Sequence, residues 1–127
     1  MMARFTLFGA GLMMLVPGVL YLVAPQMMLD VPAIRLQSVN DHHLVRAAYG
    51  GGFLGMAALF LLGAVKAGHA RTSLLAVAFL LPGFAVGRVY SIVVDGRPTP
   101  LFLGVLAAEI CFALLAAASL RHEARAG

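Results

Sequence analysis

An all-α integral membrane protein, folded as an antiparallel bundle of four helices, is the fold class this sequence predicts, and three observations predict it. First, 62% of the 127 residues are hydrophobic, only 11% are charged, and the mean hydropathy is +0.98; a soluble domain carries about 25% charged residues. Second, the apolar residues gather into four runs of about 20 residues, the length a helix needs to cross a hydrocarbon core of about 30 Å. Third, each run ends at charged residues, glycine or proline, and the short or moderate connections make sequential helices antiparallel neighbours. No room remains for a separate soluble domain, so residues 1–127 read as one transmembrane domain.

Span one runs from about Phe5 to Ala24, and Pro17-Gly18 should kink it near the middle. It is too long for the apolar region of a signal peptide, and Pro25 would follow the one small-residue cleavage position, so it is expected to stay in the protein. Between Pro25 and His43, Met27, Met28, Val31 and Ile34 share one helical face, with Asp30 and Arg35 off it. This is either a short helix lying in the membrane interface or an ordered loop packed on the bundle. Asn40 or Asp41 suits the N-cap of span two, Leu44 to Val65, which closes at Lys66-Ala67-Gly68. Thr72 or Ser73 suits the N-cap of span three, which continues to Val94 and stops at Asp95-Gly96. Thr99-Pro100 starts span four, which ends near Leu120 ahead of a polar tail expected to fray.

Charge sets the orientation. Arg4, Lys66, Arg71, Arg121 and Arg125 flank one side, whereas the opposite connections carry Arg35 and Arg97 against Asp30, Asp41 and Asp95. The positive-inside rule therefore predicts both termini in the cytoplasm. With its basic residues at the ends of apolar runs, the chain is not expected to bind nucleic acid. Tyr21, Tyr49 and Tyr90 fall near the outer helix ends and read as an interfacial belt. Cys111, inside the last apolar run, reads as a small packing residue. The Leu-Pro-Gly echo at positions 15–18 and 80–83, with Asp30 and Asp95 at the same offset, is too slight to establish a duplicated hairpin.

The residues with chemical potential are the few charges inside the spans. A guanidinium in hydrocarbon costs about 2.5–3.5 kcal/mol, so Arg88 requires a partner or a wet cavity. Glu109 on span four is the candidate. By a rise of about 1.5 Å per residue, Arg88 lies about 9 Å and Glu109 about 14 Å below the outer helix ends. The Cα–Cβ bonds lean toward each helix N-terminus and bring the two groups together. Ser91 and Asp95 continue the Arg88 stripe to the outer surface. Arg46 either snorkels or begins a second stripe through Tyr49, Gly50 and Phe53. Gly51 and Gly55 on span two, with Gly83 and Gly87 on span three, form small-residue faces expected to pack against each other. His42 and His43 point about 100° apart and cannot share an ion. With no glycine-rich phosphate loop, nucleophile elbow, paired catalytic carboxylates or zinc spacing, no cofactor or metal is expected.

Taken together, Arg46-Ala-Ala-Tyr49-Gly50-Gly51, Leu54-Gly55, Gly87-Arg88 with Ser91, Asp95-Gly96, Pro98 and the mid-span Glu109 form a pattern. It resembles that of the small bacterial membrane proteins grouped as domain of unknown function four-three-four-five. The resemblance covers nearly the whole chain and implies a four-helix protein of the bacterial inner membrane. The polar signature it implies is Arg46, Tyr49, Arg88, Asp95 and Glu109, and it implies no activity. Gly52 and the His42-His43 pair depart from the pattern.

Three functions remain open at this level. One is a non-enzymatic ligand- or lipid-binding protein, or an accessory subunit of a larger membrane complex or homo-oligomer, with a polar pocket in the outer half of the bundle. The second is a small transporter in which Glu109 exchanges a proton for cargo. The third is a membrane enzyme acting on a lipid or quinone. The Arg88 and Glu109 pair reads either as a latch fixing helix register or as part of the pocket.

Overall fold

The structure, a computed structural model, describes residues 1–126. Helix α1 spans Met2–Val23 and α2 Pro25–Asp30; α3, Val39–Val45, runs through a π-helical turn, Arg46–Gly51, directly into α4, Gly52–Val65. Helix α5 covers Ala67–Asp95 and α6 Pro100–Ala126. Four helices are long and apolar enough to cross a membrane: Met2–Val23, Val39–Val65, Ala67–Asp95 and Pro100–His122. Among the described residues there is no strand. The protein is a multi-pass membrane protein.

The four rods close an antiparallel ring. Helix α1 packs on α4, α4 on α5, α5 on α6 and α6 back on α1. Leu7, Met14, Phe60, Leu74, Val77 and Leu81 fill its centre. In lipid this core gains little hydrophobic driving force, so close backbone approach and interhelical hydrogen bonds must carry the association. Glycines on α1 and its neighbours make that approach. A Cβ on Gly18 would lie 3.1 Å from the Leu54 backbone nitrogen, and one on Gly50 would lie 3.1 Å from the Leu22 backbone. Gly63 forms a notch for Ser73, whose hydroxyl donates to the Leu59 carbonyl at 2.7 Å.

The glycine faces expected between spans two and three do not do this. A Cβ on Gly55, Gly83 or Gly87 would meet nothing within 4 Å, and one on Gly51 would meet only the Arg46 carbonyl of its own helix. Spans two and three instead join through Ser73 and Gly63, and their small-residue faces turn outward.

Several helix limits also differ from expectation. The second rod starts at Val39 because Ser38, not Asn40 or Asp41, is the N-cap. Ser38 accepts from the Asp41 amide, and the Asp41 carboxylate accepts from the Gln37 and Ser38 amides, a reciprocal capping box. The second connection shrinks to one residue, Lys66, whose extended backbone (φ −113°, ψ 108°) turns the chain directly into α5. Thr72 and Ser73 are thus interior to a helix rather than caps. Helix α6 continues to Ala126, so the expected frayed tail is helical. Cys111 is exposed on α6 and does not pack in the core.

The first connection does contain a helix, α2, which buries Pro25 and Leu29 and leaves Met27, Val31 and Ile34 exposed. It ends in a Schellman pattern, with Ile34 N–H bonded to the Leu29 carbonyl and Ala33 N–H to the Asp30 carbonyl. Ala33, at φ 60°, occupies the left-handed position usually given to glycine. Gln26 fastens the turn by donating to Asp30 and to the Ile34 carbonyl and accepting from the Leu36 amide.

Candidate functional site

The end of the bundle opposite Met1 holds the π turn, α2 and the α5–α6 connection; we refer to it as the distal end. Helix α5 stops there at Asp95, because Gly96 adopts φ 99° and accepts a conformation costly for other residues. Proline then opens α6 at Pro100, where its missing N–H removes a donor that would have no partner anyway. The short connection holds α5 and α6 side by side, and so fixes the depth of Arg88 relative to Glu109.

Those two residues meet. Arg88 Nε donates to both carboxylate oxygens of Glu109, at 3.0 Å and 2.9 Å. The Glu109 side chain is 2% exposed and that of Arg88 34% exposed. Opposite charge and hydrogen bonding offset the desolvation of the carboxylate, which alone would be costly in this setting. Only Nε of the guanidinium is used, and its two terminal nitrogens make no hydrogen bond to a described residue. Arg88 Cζ also lies 5.8 Å from the Phe102 ring centroid, within cation–π range.

On the Arg88 side of this pair lies a cavity of about 220 Å³ lined by Arg88, Ser91, Ile92, Pro98, Phe102 and Leu106. Ser91 is turned to its own helix, its hydroxyl donating to Asp95 at 2.8 Å. The sequence-derived stripe from Arg88 through Ser91 to Asp95 therefore exists. Asp95 ends it as an exposed carboxylate and does not pair with Arg88.

Arg46 and Tyr49 belong to a different part of the molecule. In the π turn the Gly52 amide bonds five residues back to the Ala47 carbonyl, a widening that the glycine run permits. The turn aims Gly50 at Leu22 and lets Arg46 Nε donate to the Leu22 carbonyl at 3.0 Å. That carbonyl belongs to the last turn of α1, where carbonyls lack helical partners and a cation is favourable. Tyr49 stacks on Tyr21 with centroids 5.3 Å apart, and Phe53 closes edge-on against both. Tyr21 and Tyr49 are thus an interhelical stack, and Tyr49, like Tyr90, is exposed.

The two halves connect through aromatic rings. Phe53 packs against Phe84 at 6.3 Å, one helical turn before Arg88. Phe102 is a site residue that the sequence did not single out. A Phe two residues into a helix is unremarkable until its neighbour is known to be an arginine.

The family model described as a domain of unknown function, DUF4345, matches residues 2–120. The chain belongs to the DUF4345 family. Comparison with curated proteins and with solved structures gives no match. In this DUF4345 chain, no group of three or more His, Cys, Asp or Glu side chains able to hold a metal gathers among the described residues. His42 Nδ1 is engaged with the Ser38 carbonyl at 2.9 Å. What this DUF4345 site offers is chemical recognition: unspent guanidinium donors, an aromatic face and apolar walls, beside a carboxylate that is already occupied.

Proposed function

We propose that this chain is a non-enzymatic membrane protein that holds the polar end of a small ligand or lipid in the distal pocket. The observation that carries this reading is the division of labour on Arg88. Its Nε serves Glu109, while Nη1 and Nη2 are free to donate charge-assisted bonds to an oxygen-bearing group in the cavity. Enzyme chemistry has less support, because the Ser91 hydroxyl lining the pocket donates to the exposed Asp95 carboxylate of its own helix, and no third group among the described residues orients that pair as a nucleophile and its base. Proton exchange at Glu109 has less support too. Its carboxylate is 2% exposed and accepts Nε–H on both oxygens, so carrying a proton would require the pair to open.

In this reading both termini face the cytoplasm of a bacterial inner membrane, supported by five flanking basic residues on that side against two on the other. Ser91→Cys in a Cys111→Ala background tests the pocket with a polar thiol reagent. Protein drawn from membranes in mild detergent should label slowly, and stringent delipidation should speed labelling several-fold. Equal rates would mean that no resident ligand covers Ser91. A fixed protein partner in the mild-detergent preparation, lost together with the protection, would move the reading to an accessory subunit.

A further inference from the structure

A second depression runs along the same seam between α5 and α6. It is a groove of about 500 Å³ lined by Pro82, Val86, Val89, Tyr90, Ile110 and Leu114 with two alanines. These walls are hydrocarbon apart from the Tyr90 hydroxyl. On α5 the groove reaches residue 90 and the distal pocket starts at Arg88. On α6 the pocket ends at Leu106 and the groove starts at Ile110, one turn further along. A polar site therefore lies distal to an apolar one, their nearest α6 residues about 6 Å apart along the axis.

Depth favours one class of occupant. Helix α5 has 29 residues, about 43 Å of length, against about 30 Å of hydrocarbon and about 40–45 Å for the whole bilayer. With the helix centred, Arg88, seven residues from its midpoint, lies about 10 Å from the bilayer centre and so about 5 Å inside the hydrocarbon, a depth at which a cation draws headgroups toward it by local thinning of the leaflet. There the surrounding leaflet supplies molecules with a phosphate at one end and hydrocarbon at the other. We infer that the occupant of this seam is a phospholipid of the distal leaflet. Its phosphate oxygens accept from the terminal nitrogens of Arg88, and one acyl chain lies in the groove beside Val89. This rests on the ligand-binding reading of the Arg88 pocket and adds the chemical class of the ligand and the path of its tail. Glu109 keeps the guanidinium in place and, by neutralising it, limits how tightly the phosphate is held, which suits a lipid that exchanges with the bilayer.

Native mass spectrometry of protein released from nanodiscs of phosphatidylethanolamine and phosphatidylglycerol tests this. Wild type should retain one phospholipid. The double substitution Arg88→Gln/Glu109→Gln removes the guanidinium without stranding a buried charge, and should reduce retention by about tenfold or more, as expected for losing a bond to a charged group. Val89→Trp, at a half-exposed wall position, should reduce it comparably by filling the groove. Circular-dichroism melting confirms that each variant is folded. Retention lost in the double variant but unchanged in Val89→Trp would overturn the acyl-chain path and leave the pocket reading standing. Retention unchanged in both, or absent from wild type, would overturn the phospholipid assignment.

Discussion

The Arg46 side chain reaches from the second rod to the carbonyl of Leu22 on the first, and Arg4 on the first reaches back to the carbonyl of Ala64 on the second. The distances are 3.0 Å and 3.1 Å, and each carbonyl lies in the last turn of its helix. Two antiparallel helices thus cap one another's C-terminal ends. Between the two bonds, Gly18 and Gly50 bring the backbones together.

Removing either arginine should leave a helix-end carbonyl without its donor. Arg4→Ala and Arg46→Ala are each expected to destabilise by about 1 kcal/mol, the net value of an intramolecular hydrogen bond. The sites stand at opposite ends of the bundle, so the double variant should show the sum within about 0.5 kcal/mol. Chemical unfolding in detergent, followed by circular dichroism, reads both values. A double variant no worse than either single one would show that the two ends do not act independently.

Glycines at different positions should respond in opposite directions. Gly50→Ala sets a Cβ against the Leu22 backbone, which cannot rotate away, and separates Tyr21 from Tyr49; a loss of about 1–3 kcal/mol is expected. Gly55→Ala meets open space and should instead gain about 0.5–1 kcal/mol from helix propensity. Comparing the two unfolding midpoints decides this, and a gain for Gly50→Ala would contradict the packing described.

The turn after α2 carries strain that glycine should relieve. Ala33→Gly, at φ 60°, is expected to stabilise by about 1 kcal/mol. Gln26→Leu removes three hydrogen bonds across the same turn and should speed amide exchange at Leu36 with little change in global stability, because the site is exposed. The exposed ion pair between Arg35 and Asp30, 74% and 48% accessible, adds little to either effect. Exchange at Leu36 as slow as in wild type would show that Gln26 does not hold the turn.

Which of these relationships the sequence reveals follows from the solvent. Arg88 and Glu109 stand out because charges are rare in apolar spans, and helix direction then brings them together. The four spans stand out for the same reason. Helix rotation does not, because lipid is as apolar as the core and the residues facing each carry the same signature. Gly83 and Gly87 read like a packing face and point outward, whereas Gly18 and Gly50, equally plain in sequence, carry the contacts. The π turn is hidden for another reason: the glycine run permits it, but only packing against Leu22 selects it. Ser38 and Asp41, three residues apart, did carry a capping signal in the sequence, and it places the helix start earlier than the apolar run alone suggests.

The most direct test of the Arg88 and Glu109 pairing is a double-mutant cycle using the volume-preserving changes Arg88→Met and Glu109→Leu. Arg88→Met should be the worse single variant, by about 2–4 kcal/mol, because it strands a carboxylate that is 2% exposed, whereas Glu109→Leu leaves a guanidinium with a third of its surface accessible. The double variant should recover most of the loss, giving a coupling energy above about 1 kcal/mol. Single effects that simply add, within about 0.5 kcal/mol, would mean that the two side chains do not hold each other and would contradict the account.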